Sequence, residues 1–314
     1  MSSEPTVSVV IPTYNRPEML ARAVESVTAQ TYDEIELVVV DDHSPTPAAE
    51  TLDALETKVL YSVECIRHEE NRGGSAARTT GIEAASGDWI AFLDDDDEWK
   101  RTKLTKQIQR VESASSDVAL VYTGIRQVDE RGSTIAMKTP TVEGDVLEHL
   151  LRGNFIGTYS AVMVHSDAVA AVGSPDERFP SWQDWEWYLR LANYGKFASV
   201  PEPLVIRYNY HEQMSSDFEM KQDISYPLLL ETGRPIAQEL KSEFEAGAAF
   251  ELARAAVQNG RFRAARRYLL RSLRLESRSA STWLYLALTI GGHYTFRPAQ
   301  RIKQTVVRYL GVSV

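Results

Sequence analysis

The sequence is almost without cysteine, since Cys65 is the only one among its 314 residues. A single cysteine excludes an intrachain disulfide and a metal cluster held by cysteines. The chain also lacks any uncharged apolar segment of the roughly 18 to 20 residues that a helix needs to cross a bilayer. Its first residues contain neither a basic stretch nor a long apolar run, so no signal peptide is expected. We therefore expect a cytoplasmic protein, either soluble or peripheral on the cytoplasmic face of the cell membrane.

Positive charge is scarce over most of the chain and concentrated at its end. The net charge is −10, but the segment from Glu251 onward holds twelve Lys and Arg against two acidic residues. That segment therefore carries +10, and the preceding 250 residues carry −20. An acidic body with a basic end suggests two units with different partners. We expect no nucleic-acid partner.

Apolar, β-branched runs alternate with helical patterns along the first hundred residues. Strands are predicted over 7–11, 35–40, 59–67 and 89–93, and helices over 17–30, 46–56 and 75–85. This alternation indicates a parallel, doubly wound sheet flanked by helices, an α/β fold. Ligands of such sheets bind beyond the carboxyl ends of the strands.

The rest of the chain changes character twice. Short strands are predicted over 118–122, 124–128, 134–137 and 160–164, and helices over 145–151 and 182–194. Beyond about residue 225 no strand pattern remains. We predict one α/β domain over 1–225 and an all-α extension over 226–314.

Four consecutive aspartates, Asp94 to Asp97, follow the predicted strand at 89–93. Acids at the end of a buried strand are costly unless a cation neutralises them. Carboxylate oxygens suit Mg²⁺ or Mn²⁺, ions that usually bring a phosphate with them. The alternative is a solvated acidic turn. Tyr14 and Asp42 follow two other predicted strands, so three strand ends bring polar groups to one rim.

Five segments together resemble the family 2 glycosyltransferases, inverting enzymes with the GT-A fold that use nucleotide-activated sugars. The segments are VSVVIPTYNR at 7–16, VVVDDHS at 38–44, NRGGSAARTTG at 71–81, GDWIAFLDDDD at 87–97 and QDWEWYLRL at 183–191. The resemblance implies a Rossmann-like, mostly parallel sheet. It also implies Mn²⁺- or Mg²⁺-dependent transfer of a sugar from a nucleotide-sugar, expected to be a UDP-sugar. The expected acceptor is a hydroxyl of a glycan or lipid-linked saccharide, as in protein N-glycan, exopolysaccharide or cell-surface glycan assembly.

The same resemblance implies a nucleotide pocket at the strand ends. The residues expected to line it after the first strand are Pro12, Thr13, Tyr14 and Asn15. Tyr14 would lie against the nucleobase, the alternative being a turn tyrosine that packs on the next helix. Asp42, with Asp41 beside it, would accept a hydrogen bond from the base, the alternative being a helix cap. Arg78 would reach the base or a phosphate, or would pair with an acid at the rim.

The aspartate run matches the family's metal motif. Asp94 would face the ribose, Asp96 would bind the metal, and Asp95 between them would line the nucleotide-sugar site. Asp94 and His211 are the further candidate metal ligands, although a histidine in a polar loop can equally be structural. Asp97 is expected to cap the helix that follows it.

Asp184 matches the family's general base. It would take the proton of an acceptor hydroxyl as that oxygen attacks the anomeric carbon. Attack from the back of the sugar inverts the anomeric centre without a covalent intermediate. The alternative is a carboxylate that interacts with the dipole at a helix N-terminus.

The end of the chain shows a 34-residue period that resembles a pair of tetratricopeptide repeats. The recurring positions are Ala249, Ala253, Phe262 and Ala265, followed by Trp283, Ala287, Phe296 and Ala299. Beyond them, Ile302, Val306, Tyr309 and Leu310 form an apolar stripe among basic residues. We expect this end to meet an anionic membrane surface, or else to dock onto the acidic domain.

Three other functions remain open at this point. The acceptor can be a polyprenyl or dolichyl phosphate instead of a hydroxyl. A nucleotidyltransferase would need a glycine-rich basic loop directly after the first strand, where the sequence has PTYN at 12–15. A catalytically inactive adaptor would act through its helical repeats alone, and the intact acids Asp94, Asp96 and Asp184 argue against it.

Overall fold

The computed structural model describes residues 6–57, 60–114, 117–209, 217–292 and 294–296. The strands in this part of the chain are β1 (Val7–Thr13), β2 (Ile35–Asp41), β3 (Ser62–Arg67), β4 (Trp89–Phe92), β5 (Asp97–Trp99), β6 (Val118–Val128), β7 (Thr134–Lys138), β8 (Val162–His165) and β9 (Lys196–Tyr208). The helices are α1 (Pro17–Thr28), α2 (Ala48–Asp53), α3 (Gly74–Ala84), α4 (Lys103–Glu112), α5 (Leu147–Arg152), α6 (Ser166–Val172), α7 (Gln183–Tyr194), α8 (Phe218–Met220), α9 (Tyr226–Ala237), α10 (Lys241–Gln258), α11 (Phe262–Leu275) and α12 (Ala280–Ile290).

All nine strands belong to one sheet, in the order β3-β2-β1-β4-β8-β6-β9-β5, with β7 paired to β6. The first four strands of this order are parallel. Strand β8 is antiparallel to both β4 and β6, and β5 is antiparallel to β9. The predicted α/β class with an all-α end is confirmed. The sheet is mixed, with β1 to β4 parallel on one side and a second parallel pair, β6 and β9, on the other.

Strand β1 is buried along its whole length and divides the core into two layers. Its alternate residues Val9 and Ile11 belong to the layer that contains α1, whereas Val10 belongs to the layer that contains α3 and α7. Helix α3 approaches the sheet so closely at Gly81 that a Cβ there would lie 2.3 Å from Cγ1 of Val10. The contact holds the loop before α3 close to the end of β1.

We predict that Gly81→Val lowers the free energy of unfolding by about 1–3 kcal/mol, because the added atoms have no space against Val10. The matched control is Glu83→Val, which places the same side chain at an exposed position of the same helix. The control should change the free energy by less than about 1 kcal/mol. Urea unfolding curves measure both values, and equal shifts for the two variants would contradict the packing argument.

Two parts of the sheet differ from the expectation. The strands predicted at 118–122 and 124–128 are one strand, β6, whose pairing with β9 shifts register between Thr123 and Gly124. Strand β9 was not predicted, because Pro201 and Pro203 interrupt its apolar pattern. The shift occurs where these prolines lie, and an irregular ladder tolerates residues that lack an N–H.

The helical extension packs directly on the α/β domain. Phe244 of α10 is fully buried, and its ring centroid lies 6.5 Å from that of Trp185 on α7. Helices begin already at Phe218, and α8 continues through a π-helical turn at Lys221–Ser225 into α9. The domain boundary at residue 225 stays a prediction.

The first of the two repeats packs as a helix pair. Helices α10 and α11 join through Gly260, whose φ of +69° favours glycine, and Ala253 and Ala265 are buried where the helices meet. In the second repeat Trp283 is 54% exposed, so its packing differs from that of the first repeat. The helices are consistent with the tetratricopeptide-like resemblance, and Ala299 lies outside the described residues.

Part of the basic end faces the rest of the protein. Arg261, directly before α11, pairs with Glu219 at 2.6 Å, and Arg271 of α11 pairs with Glu245 at 3.7 Å. Glu219 belongs to the predicted α/β domain but Glu245 lies in α10 of the extension, so docking of the basic end onto the acidic domain stays a prediction. The apolar stripe at 302–310 lies outside the described residues, so the membrane surface stays a prediction. Among the helices that the structure describes, none is both long and apolar enough to span a bilayer.

Candidate functional site

Strands β1, β2 and β4 end side by side, and the turn after β1 opens the site. Thr13 is buried, whereas Tyr14 is 47% exposed and leaves its ring open to a ligand. Asn15 adopts a φ of +54°, and its backbone N–H donates to Oγ of Ser44 at 2.8 Å. The bond ties the turn after β1 to the loop after β2. Pro12, the remaining predicted residue of this segment, is buried inside β1.

Asp41 holds the loop between β2 and α2. Its carboxylate accepts the N–H groups of Ser44 at 2.7 Å and Ala48 at 3.0 Å, and it pairs with Arg67 at 2.6 Å. Burial by itself would raise the pKa of Asp41, but these hydrogen bonds and the Arg67 charge lower it below its usual value. Asp41 is fully buried and holds the backbone at the start of α2, and its predicted contact with the nucleotide stays a prediction.

Asp42 anchors the loop that leads into α3. Its two oxygens accept the N–H groups of Arg72 at 2.8 Å and Gly73 at 2.7 Å, and the imidazole of His68 lies 2.8 Å away. The other ring nitrogen of His68 lies 2.9 Å from the hydroxyl of Thr80 on α3. Asp42 therefore positions the loop, and its contact with a nucleobase stays a prediction.

Arg78 pairs with an acid at the rim, which was one of its two predicted alternatives. Its Nη2 donates to Asp94, its Nη1 donates to the carbonyl of Gly74 at 3.1 Å, and its guanidinium lies 4.4 Å from the ring centroid of Tyr159. Asp94 also accepts the hydroxyl hydrogen of Thr158 at 2.9 Å. Arg78 is the more buried partner of this ion pair, and the pair fixes the orientation of Asp94.

Asp95 bonds to residues of and after β1. One of its oxygens accepts the hydroxyl hydrogen of Thr13 at 2.8 Å, and the other pairs with Arg16 at 3.0 Å. Asp95 is buried, and it fixes the aspartate run against the end of β1.

Asp94, Asp96 and Asp97 form a carboxylate trio, with one oxygen of each lying within 4.8 Å of the others. Burial and the neighbouring carboxylates raise the pKa of Asp96 to about 6 and that of Asp97 well above its ordinary value. Among the described residues, neither oxygen of the buried Asp97 has a hydrogen-bond partner. Three converging carboxylates, one of them unsatisfied, fit a hard divalent cation.

The prediction that Asp97 caps a helix is wrong. Asp97 begins β5, where it pairs with Arg207 of β9, and α4 begins only at Lys103. The backbone turns back into the sheet directly after the rim, and this turn brings the fourth aspartate into the trio. The other candidate ligand, His211, lies outside the described residues.

Asp184 lies in the first turn of α7, on the same rim. The helix follows Trp182, whose φ of +64° is a strained conformation for a bulky residue. Oδ2 of Asp184 accepts the amide hydrogen of Asn154 at 2.9 Å. Burial raises the pKa of Asp184 to about 6, against the opposing charges of Arg207 and Arg78. The structure therefore contains an oriented carboxylate that remains ionised near neutral pH.

Residues 8–172, just over half of the chain, match the family model described as Glycosyl transferase family 2. The chain belongs to glycosyltransferase family 2. It is 30% identical over 214 residues to the amylovoran biosynthesis glycosyltransferase AmsB of Erwinia amylovora, an alignment that covers 65% of this chain and 69% of AmsB.

Solved structures share the fold of this glycosyltransferase at low identity. S. aureus TarS 1-349 in complex with UDP-GlcNAc is 17% identical with a TM-score of 0.61, and the match covers 95% of this chain and 89% of that one. Mannosyltransferase PcManGT from Pyrobaculum calidifontis in complex with GDP-Man and Mn²⁺ is 16% identical with a TM-score of 0.61, covering 98% and 88%. This chain spans about half of a longer TarS chain, 54% of its length.

Several site residues of this glycosyltransferase were not found from the sequence. They are Arg16, Asn154, Thr158, Arg207 and, as a member of the trio, Asp97. Only Asn154 had a local signal, because the turn NFIG at 154–157 is of the kind that a side-chain amide stabilises. The Oδ1 of Asn154 accepts the N–H of Gly157 at 2.9 Å, which leaves its amide hydrogens for Asp184.

Proposed function

We propose that this glycosyltransferase transfers a sugar, with inversion, from a UDP-sugar to a hydroxyl of a glycan or lipid-linked saccharide, in a reaction that depends on Mn²⁺ or Mg²⁺. The observation that carries the proposal is the position of the trio and of Asp184 on one rim. Arg78 pairs with Asp94 of the trio, and the charges of both Arg78 and Asp94 act on Asp184. A diphosphate held at the trio would therefore place its sugar beside Asp184.

The donor pocket that we propose lies at the ends of β1 and β2. Tyr14 would stack on the base with its exposed ring, and the loop held by Asp42 would border the nucleotide. The backbone turn at 71–74 leads into α3, and the N-terminus of a helix suits phosphate oxygens. The complexes of TarS with UDP-GlcNAc and of PcManGT with GDP-Man support a nucleotide-sugar donor for this fold.

Asp94, Asp96 and Asp97 would hold the cation, with His211 a further predicted ligand. When bound, Mn²⁺ or Mg²⁺ would act there as a Lewis acid that neutralises the charge of the leaving diphosphate. The Mn²⁺ present with GDP-Man in the PcManGT complex supports a metal of this kind. Arg16 lies 3.6 Å from Asp96 and adds a positive charge at the same rim.

Asp184 would act as the general base. Its carboxylate would accept the proton of the acceptor hydroxyl as that oxygen forms a bond to the anomeric carbon and the bond to the diphosphate oxygen breaks. A base with a pKa of about 6 is ionised at neutral pH and still retains useful basicity. Asn154 would hold Oδ2 of this carboxylate and the N–H of Trp185 would hold Oδ1, so both bonds keep the base in one orientation.

Two alternative functions can be distinguished from this proposal by activity and binding assays. A polyprenyl phosphate acceptor has an ionised attacking oxygen, so it needs no base. An inactive adaptor would bind no nucleotide-sugar productively, and the assembled trio and oriented Asp184 argue against it.

The function is tested with a panel of UDP- and GDP-sugars, each with Mn²⁺, Mg²⁺ or a chelator. We expect the sugars of one nucleoside diphosphate, UDP or GDP, to raise the melting temperature with metal and not with chelator. A ligand at 100 times its Kd stabilises the folded state by about 2.7 kcal/mol, which a melting curve detects. The matching sugar nucleotide should also be hydrolysed slowly in the absence of acceptor. The proposal fails if no member of the panel stabilises the protein with either metal.

A further inference from the structure

A short turn at residues 153–157 brings together groups from three different elements. The turn begins at Gly153, where a Cβ would lie 3.5 Å from Oε1 of Glu251 on α10. It ends at Gly157, where a Cβ would lie 3.7 Å from Nζ of Lys138 on β7. Between these two points Asn154 donates to Asp184 on α7 at 2.9 Å. The candidate base thus has the helical extension on one side and the end of β7 on the other.

The space beside Asp184 is predominantly basic. Lys138 and Lys221 experience the charges of the same three residues, namely Asp184, Glu251 and Arg207. Both lysines therefore lie near enough to these three residues to be influenced by their charges. Arg254 lies beside it and pairs with Glu251 at 2.8 Å. Counting these two lysines and the charges that act on them gives four basic residues and three acidic ones, the third being Asp217, a net charge of about +1 that favours anions.

Among these basic residues, Lys138 has the ammonium that an anionic ligand would stabilise most. Its half-buried ammonium forms no ion pair or hydrogen bond within the part of the chain that the structure describes. Burial, with the nearby Arg254 charge, lowers the pKa of Lys138 to about 8. An ammonium withdrawn from water without a partner is costly, and an anionic ligand removes that cost.

We propose that the acceptor carries a phosphate or carboxylate group next to the hydroxyl that is glycosylated, and that Lys138 binds this anionic group. The inference rests on the proposed function and adds the chemical class of the acceptor. Glu251 and Arg254 come from α10, so the helical extension forms one wall of the acceptor site. A neutral acceptor would leave the Lys138 ammonium unpaired, so the pocket selects against it.

The inference is tested by anion binding to the full chain saturated with UDP and Mg²⁺. Calorimetry would compare inorganic phosphate, glucose 6-phosphate and glucuronate with neutral glucose, in the wild type and in Lys138→Gln. We expect the anions to bind the wild type at least tenfold more tightly than glucose. The variant should lose about 10- to 100-fold in anion affinity, the usual effect of a lost charge-assisted contact. Comparison of the phosphate and carboxylate probes identifies which anion the site prefers.

Two further variants separate binding from folding. Lys138→Arg keeps the charge and should retain anion binding within about tenfold of the wild type. Lys196→Gln removes an exposed lysine that pairs with Asp117 at the start of β9, and it should bind anions like the wild type. Equal anion affinity of wild type and Lys138→Gln would overturn the inference, and so would a wild type that binds no anion. If that wild type still hydrolyses the donor, the proposed function stands and only the anionic acceptor is rejected.

Discussion

Asp184→Asn should lower kcat by roughly 10² to 10⁴ while the Kd of the donor nucleotide changes by no more than about twofold. The asparagine has one acceptor oxygen for the two donors of Asp184, the amide of Asn154 and the N–H of Trp185, so it keeps one of these bonds and we expect α7 to keep its start. What is lost is the only carboxylate placed to take the acceptor proton in our proposal. Steady-state kinetics and nucleotide titration measure the two quantities separately.

The pH dependence gives an independent readout of the same group. Burial raises the pKa of Asp184 to about 6, and a base must be deprotonated to act. In the wild type kcat/KM should therefore fall tenfold per pH unit as the pH drops below about 6, and this limb should disappear in Asp184→Asn. Glu148→Gln, which removes an exposed carboxylate of α5, should keep both the rate and the pH profile.

Two other outcomes would be informative. A variant that loses donor binding would show that Asp184 supports the structure and does not act as the base. A variant with nearly full activity would point to an acceptor whose attacking oxygen is already ionised, such as a polyprenyl phosphate.

Asp96→Asn should abolish measurable transfer and weaken UDP binding by at least about tenfold in Mn²⁺, but leave UDP binding in chelator unchanged. The reason is that Asp96 contributes charge to a trio that, in our proposal, acts on the nucleotide only through the cation. Titration of UDP under the two conditions gives the comparison within a single variant. A variant that retains wild-type turnover would refute the metal assignment.

The same substitution should have the opposite effect on the stability of the metal-free protein. Burial and the charges of Asp94 and Asp95 raise the pKa of Asp96 to about 6, so its ionised form is disfavoured in the folded state. A raised pKa means that stability increases as the pH falls through about 6 towards the ordinary carboxyl range, because the folded state takes up the proton before the unfolded state does. Asp96→Asn should therefore melt at a higher temperature than the wild type at pH 8 in chelator, and this difference should shrink at pH 5.

Which acids form the trio could not be predicted from the sequence. The family motif indicated Asp94 and Asp96, but the sequence alone does not show which of four consecutive aspartates converge. Asp95 turns to Thr13 and Arg16, residues about 80 positions earlier, whereas Asp97 enters β5 beside Arg207, more than 100 positions later. Partners so distant leave no local pattern.

The sequence by itself determined the α/β class, the strand ends that carry Tyr14, Asp42 and Asp94, and the family resemblance that marks Asp184. These features are local, because buried strands show as apolar runs and functional residues of such sheets lie directly after them. Only the tertiary structure decided that β9 forms despite its prolines, that Asn154 orients Asp184, and that Lys138 and α10 lie beside the turn at 153–157. Each of these depends on contacts between segments far apart in the chain, where packing outweighs local propensity.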